Sequence, residues 1–286
     1  MKRFLTVALF VGAFGGMALA QDAERLYSVK CGAITITVLP EGDHDGNAGI
    51  LVGADNALVS RYIPEKKFPQ GMNAFLVQVD GKNCLFDTGL GRKLFANLDK
   101  AGIAPDQIHA IFLTHMHGDH IGGMLRDDQP AFPHATVWLA EKEYSYWKDS
   151  DNRLALKVLE AYKARIKLFT PAELNGHLHE LTAGVTAIAA YGHTPGHTAY
   201  LLQSKKDKLL LWGDLTHAMA VQMPHPEIGV TYDVDVRTAT ATRQTFLKYI
   251  AVKRLPVAGM HIPYPAVGIV TAAATGYKFV AGLSSE

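Results

Sequence analysis

Short runs of β-branched, aliphatic and aromatic residues recur along the chain: ITITVL at 34–39, NAFLVQV at 73–79, NCLF at 83–86, AIFLT at 110–114 and TVWLA at 136–140. The second half repeats the habit with VTAIAA at 185–190, AYLLQ at 199–203 and KLLLW at 208–212. Their length and composition predict strands. Between them the apolar positions change to a helical spacing, at about 91–101, 140–165 and 236–251, the last with Val236, Phe246, Leu247 and Ile250 among polar neighbours. Strands and helices in this mixture predict an α/β chain. The segment 40–72, with its Gly, Asp and Asn cluster and three prolines, fits neither period and reads as a long loop, a kind of segment that often carries function. No short-period repeat, low-complexity tract or Pro/Ser-rich linker divides the chain, so residues 21–286 read as one domain.

The first twenty residues stand apart. Lys2 and Arg3 precede the apolar run FLTVALFVGAF, and Ala18-Leu19-Ala20 fits a small-x-small cleavage site, so residues 1–20 read as a signal peptide cut after Ala20. The run is well short of the roughly 20 residues that cross a bilayer, and no membrane span is expected once it is removed. The mature protein is then expected in the periplasm or outside the cell. There Cys31 and Cys84, both in strand-like segments, have two open fates, a disulfide or two isolated buried thiols. A net charge of +1, from 28 basic and 27 acidic residues, leaves no broad electrostatic footprint for nucleic acid or anionic lipid and points to a small-molecule partner.

Candidate chemistry concentrates directly after AIFLT, in THMHGDHIGG at 114–123. Side chains at i and i+2 of an extended segment point the same way, so His115 and His117 are placed to grip one ion. After the turn through Gly118, Asp119 and His120 face a second. More candidate ligands follow other strand-like runs: His193 and His197 in GHTPGHT, Asp214 in GDLTH, and His261 in AGMHIP. Carboxyl ends of strands are where open α/β sheets gather ligands.

With these residues in place the chain resembles the metallo-β-lactamase superfamily, through THMHGDH followed in order by His197, Asp214 and His261. The resemblance spans about 33–281. It implies a four-layer αβ/βα sandwich and a dinuclear site. In that scheme His115, His117 and His197 hold the first metal, Asp119, His120 and His261 hold the second, and Asp214 bridges them. Asp87, in FDTGLG, would support the site from behind its ligands, and His193 would buttress His197. Ligand softness favours two zinc ions, with iron, manganese or cobalt also accepted. Members that hydrolyse β-lactams generally carry cysteine or serine near the place of Asp214, which argues against that activity.

FPHATVWLAEKEYSYW, YGHTPGHTAYLL, WGDL and the terminal GYKFV are similar to the branch of methyl parathion hydrolase and related lactonases. That likeness implies hydrolysis of a lactone or related ester, of the acyl-homoserine lactone type, by a metal-bridging hydroxide, with Asp119 shuttling the proton. It also implies organophosphate triesters as an alternative substrate on the same site, and a homodimer. Trp147 and Tyr144 read either as walls of an apolar substrate pocket or as core aromatics on one helix face. His217 stands where related lactonases carry a tyrosine three residues after the bridging aspartate. It reads either as a hydrogen-bond or proton donor to the substrate or as a surface or supporting residue. The remaining histidines, His44, His109, His134, His177, His179 and His225, have no matched spacing and are expected at structural or surface positions. The D-T-G at 87–89 matches an aspartic-protease signature, but that chemistry needs two such carboxylates and the chain has one. A nuclease would want a basic surface or an added domain. A non-catalytic zinc-binding protein would need closed coordination, whereas this ligand set leaves room for water.

Overall fold

The computed structural model describes residues 26–283, so the expected signal peptide lies outside the described residues. Thirteen strands build two facing sheets. The first holds β1 (Ser28–Cys31), β2 (Ile34–Pro40), β3 (Asn73–Val79), β4 (Lys82–Phe86), β5 (Ile108–Phe112), β6 (Thr136–Ala140) and β7 (Ile166–Phe169), side by side in chain order. The second holds β8 (Val185–Ala189), β9 (Thr198–Ser204), β10 (Asp207–Leu211), β11 (Pro256–Ala258), β12 (Val267–Ala272) and β13 (Tyr277–Ala281), again in chain order. Antiparallel pairing gives way to parallel at β4·β5, β5·β6 and β6·β7 in the first sheet and at β10·β11 in the second. The carboxyl ends of β4, β5 and β6 therefore emerge on one edge.

Period-two alternation explains why the strand runs are apolar throughout. In β3, Phe75 and Val77 face the core between the sheets, while Ala74 and Leu76 face a second core under helices. Likewise Cys84 and Phe86 point inward from β4 and Leu85 outward. A sheet covered on both faces needs apolar residues on both. The outer core of the first sheet is closed by α2 (Leu94–Lys100), α4 (Glu141–Lys148) and α5 (Arg153–Tyr162), through Leu94, Leu98, Trp147, Val158, Leu159 and Tyr162. On the second sheet the long helix α7 (Val236–Lys253) contributes Phe246, Leu247 and Ile250. The helix, sheet, sheet, helix order is the four-layer αβ/βα sandwich.

Several expectations shift in detail. The single helix read over 140–165 is two, because Ser150 Oγ–H donates to the Trp147 carbonyl (2.8 Å) and Asn152 Oδ1 caps α5 by accepting from Ala155 N–H (3.0 Å). The helix expected at 91–101 begins only at Leu94, since the N–H groups of Arg92, Lys93 and Leu94 all donate to the Glu41 carboxylate at 2.9–3.1 Å. The segment 40–72 is not a bare loop. It carries α1 (Asn56–Tyr62), a ladder between His44–Asn47 and Lys67–Gln70, and a pairing of Leu51–Val52 with Gly229–Val230. Its Ile63 and Phe68 build a small third core with Ala218, Val221 and Ile228, which pins it beside the short helix α6 (Met219–Gln222). Cys31 and Cys84 are both free and buried in the inter-sheet core, and burial pushes the Cys84 thiol up to about 11. Among the described residues no helix is long and apolar enough to cross a membrane.

Candidate metal centre

The loops leaving β4, β5, β8, β10 and β11 at their carboxyl ends meet in one place. β5 ends at Phe112, and Thr114 to His120 follow; the short helix α3 (Gly118–Ile121) turns Asp119 and His120 back toward the site. β8 delivers His193, β10 delivers Asp214 and β11 delivers His261. Three overlapping groups of candidate ligands lie about Asp214, the third being Asp214 itself with His217 and His261. In the first, His117 Nδ1 lies 3.0 Å from both His115 Nε2 and His193 Nε2, with Asp214 Oδ2 3.3 Å from His193 Nε2. In the second, Asp119 Oδ2 lies 3.7 Å from His120 Nε2 and 3.4 Å from His261 Nε2. Asp214 joins this group too, with Oδ2 3.0 Å from His261 Nε2 and Oδ1 3.2 Å from His120 Nε2.

The imidazole protons can be assigned from the opposite side of each ring. His120 Nδ1–H donates to Asp87 Oδ2 (2.7 Å), His193 Nδ1–H to Asp233 Oδ1 (2.9 Å) and His261 Nδ1–H to the Gly71 carbonyl (3.1 Å). Thr114 gives its hydroxyl proton to Asp87 Oδ2 (2.7 Å), which frees its oxygen to accept from His115 Nδ1–H (3.0 Å). Four rings are thus held with Nε2 lone pairs turned inward, the arrangement that orients histidines for a cation. Inside, His120 Nε2 and Asp214 Oδ1 are buried with no hydrogen-bond partner. Lone pairs facing one another at 3.0 Å repel unless positive charge lies between them. The donor set of nitrogens and carboxylate oxygens therefore fits divalent cations.

Electrostatics follow this crowding. Burial pushes the Asp214 carboxyl up, but the imidazoles around it, His120 foremost and then His261, hold it well below the usual carboxylate range. Burial and neighbouring imidazoles lower His117 to about 4. Burial also opposes protonation of His193, yet its bonds to Asp214 and Asp233 carry it up to about 9.

Two assignments made from the sequence are corrected. His193, not His197, stands with His115, His117 and Asp214. Both ring nitrogens of His197 are already taken by the backbone: Nδ1–H donates to the Ala190 carbonyl (2.7 Å) and Nε2 accepts from Asp214 N–H (2.9 Å). Gly213 permits this approach, with φ +61° and space so tight that an added Cβ would meet His197 Nε2 at 2.3 Å. His197 is the buttress and His193 the inward-facing ring. Of the two readings open for Tyr144, its position accords with the core one: it is half-buried and packs against the outer core of the first sheet. Trp147 does reach the site, edge-on to His117 with ring centroids 5.5 Å apart, although it is mostly buried.

His217 is buried and contacts Asp214 Oδ2 through Nε2 (3.1 Å), while Nδ1 has no partner; burial holds its pKa down to about 4. Asp87 is buried behind the cluster, accepting from Thr114 N–H (2.8 Å) as well as from Thr114 Oγ1 and His120, so its D-T-G serves the site as a brace. His44, His109, His134, His177 and His179 are exposed and His225 is half-buried, bonded to Glu227 and Tyr62. Two supporting carboxylates escaped the sequence reading. Asp233 holds His193, and Glu143, on α4, accepts from Met116 N–H, Thr194 Oγ1 and Gly196 N–H. Glu143 sits one helical turn before Trp147, a spacing that brings the two side chains together and is the one available signal; nothing local marks Asp233.

A two-sheet sandwich with strand-end histidines and aspartates gathered about a buried carboxylate defines a class of metal-dependent hydrolases. Residues 69–261, more than half of the chain, match the model of the metallo-beta-lactamase superfamily, and the chain belongs to that superfamily. It is 34% identical over 161 residues to the probable metallo-hydrolase YybB of Bacillus subtilis, covering 53% of this chain and 64% of that protein. With the uncharacterized protein YobT of the same organism it is 28% identical over 149 residues, covering 50% of this chain and 61% of that one. The matches thus span about three fifths of the length of these curated relatives. Among solved structures, the hydrolase AbOPH of the beta lactamase superfamily superposes with a TM-score of 0.81 at 26% identity, over 91% of this chain and 98% of that one. AidC, a dizinc quorum-quenching lactonase solved with a product, N-hexanoyl-L-homoserine, superposes with a TM-score of 0.80, also at 26% identity over 91% and 98%.

Proposed function

We propose that this chain is an exported dinuclear metal hydrolase that opens a lactone or related ester, with acyl-homoserine lactones as the substrate type. The carrying observation is the set of imidazoles held with lone pairs inward around Asp214. His115, His117 and His193 would hold one cation, Asp119, His120 and His261 the other, and Asp214 both. Two divalent cations bound there, zinc by ligand softness, supply Lewis acidity toward the substrate and a water acidified to near-neutral pH. The protein's own part is to hold that geometry and manage protons. Asp119 is half-buried, with its carboxylate toward His120 and His261 and one side toward solvent, and in this reading it would carry the proton taken from the attacking water to the leaving oxygen. His217 donates Nε2–H to Asp214, and its low pKa keeps it neutral, which favours its reading as a support of Asp214 over that of a proton donor. Trp147, beside His117, would wall the site on the acyl side. The likeness to AidC supports the lactone reading.

The test is turnover of an acyl-homoserine lactone by the zinc-loaded mature protein, followed as acid release. Chelator-sensitive opening at a kcat/KM of about 10⁴ M⁻¹s⁻¹ or above is expected. No turnover with two metals per chain retained would reject the lactone reading and favour phosphotriesters on the same site.

A further inference from the structure

The supporting carboxylate of Glu143 takes no part in the hydrolysis proposed above. Glu143 is fully buried, with 0% of its surface exposed, and no lysine, arginine or histidine pairs with it among the described residues. Four donors satisfy its carboxylate instead. Oε1 accepts from Met116 N–H (3.0 Å) and from the Trp147 indole N–H; Oε2 accepts from Thr194 Oγ1–H (2.6 Å) and Gly196 N–H (3.0 Å). Met116 lies between His115 and His117, Thr194 is next to His193, and Gly196 is next to His197. The carboxylate therefore bridges the loop after β5 and the loop after β8, which belong to different sheets. Packing is close on this line, since a Cβ on Gly196 would fall 2.2 Å from Glu143 N. The same carboxylate holds the Trp147 indole, whose ring stands edge-on to His117. An unpaired buried carboxylate is costly unless its hydrogen bonds are complete, so its presence here calls for a function.

We propose that Glu143 is a positioning residue that sets the spacing of His117 and His193, and so the affinity of the first metal group, while tying the Trp147 wall to that group. This rests on the dinuclear reading. All four neighbours are donors, so an isosteric amide is the sharpest probe: in Glu143→Gln, at least one N–H group faces a donor at unchanged volume. Supporting partners of metal ligands are worth about 10 to 100-fold in metal affinity. Glu143 acts one bond further out, and about tenfold weaker binding of one of two zinc ions is expected, read by competition with a chromophoric chelator. The cobalt-substituted variant should show a changed absorption spectrum for the first group. The zinc-induced rise in Tm should shrink more than the Tm of the metal-free protein falls, a difference that a purely structural brace would not produce. Thr194→Val, which removes one donor, should move the same readouts in the same direction by less, and serves if Glu143→Gln does not fold. Wild-type affinity for both zinc ions in the variant, or equal Tm losses with and without zinc, would overturn the proposal. A wild-type protein binding fewer than two metals would instead overturn the dinuclear reading beneath it.

Discussion

The two sheets contribute to the site in opposite ways. The first delivers His115, His117, Asp119 and His120 from one loop after β5, whereas the second delivers His193, Asp214 and His261 from three loops after β8, β10 and β11. On the first side, covalent adjacency sets the spacing, and Asp87 with Thr114 needs only to fix ring orientation. On the second side nothing in the chain's local order sets spacing, so sheet register and buried braces such as Asp233 must do it. A contiguous motif resists small shifts of the fold. A site edge assembled from three strands transmits them.

The largest effect should come from Asp214, which faces both groups. Asp214→Ala is expected to lose one metal and on the order of 10³-fold in activity, since several kcal/mol of charge stabilisation go with it. Two metals retained per chain, by elemental analysis, would break its bridging role. Next comes the exchange between His193 and His197. His193→Ala should lower metal content, while His197→Ala should keep both metals and lower stability by about 1–3 kcal/mol, the cost of leaving Asp214 N–H and the Ala190 carbonyl buried without a partner. The reverse pattern would restore His197 as a ligand.

A smaller, sharper contrast lies between the braces. Asp87→Asn should weaken the second group and Asp233→Asn the first, each by about 10 to 100-fold in metal affinity. Equal losses at both groups in either variant would show that the two sides are not independent. Smallest is a pH effect on the metal-free protein. His117 and His217 are held down to about 4 and His197 to about 3, so on acidification the unfolded chain takes up protons first; stability present above about 6.5 is lost toward pH 4. His193 runs the other way: its folded pKa of about 9 gives stability that is full below about 6.5 and lost as pH rises through 9. Tm of chelated protein should therefore peak near pH 6.5, and a monotonic rise to pH 9 would contradict the His193–Asp233 bond.

Much of the architecture was legible because it is periodic. The strand runs at 73–79, 83–86 and 110–114 overlap β3, β4 and β5. The first two helices shortened or divided where Glu41, Ser150 and Asn152 intercept backbone groups, events carried by single polar side chains that periodicity does not register. Segment 40–72 folded because Phe68 and Ile63 find partners near residues 218–228, far off in sequence.

In the sequence alone, hydrophobic period carried the layered α/β class, covalent spacing carried the clustering of His115, His117, Asp119 and His120 in the THMHGDH loop, and the motifs carried the resemblance to the superfamily, because all of these are local and written in order. Tertiary structure alone decided between His193 and His197. They occur four residues apart in one motif, and what separates them is which ring nitrogens are already spent. The Ala190 carbonyl and the Asp214 amide consume those of His197, while Asp233 orients His193 and leaves its inner lone pair free. Hydrogen-bond occupancy of this kind depends on atoms brought from distant strands, and only the folded chain assembles them.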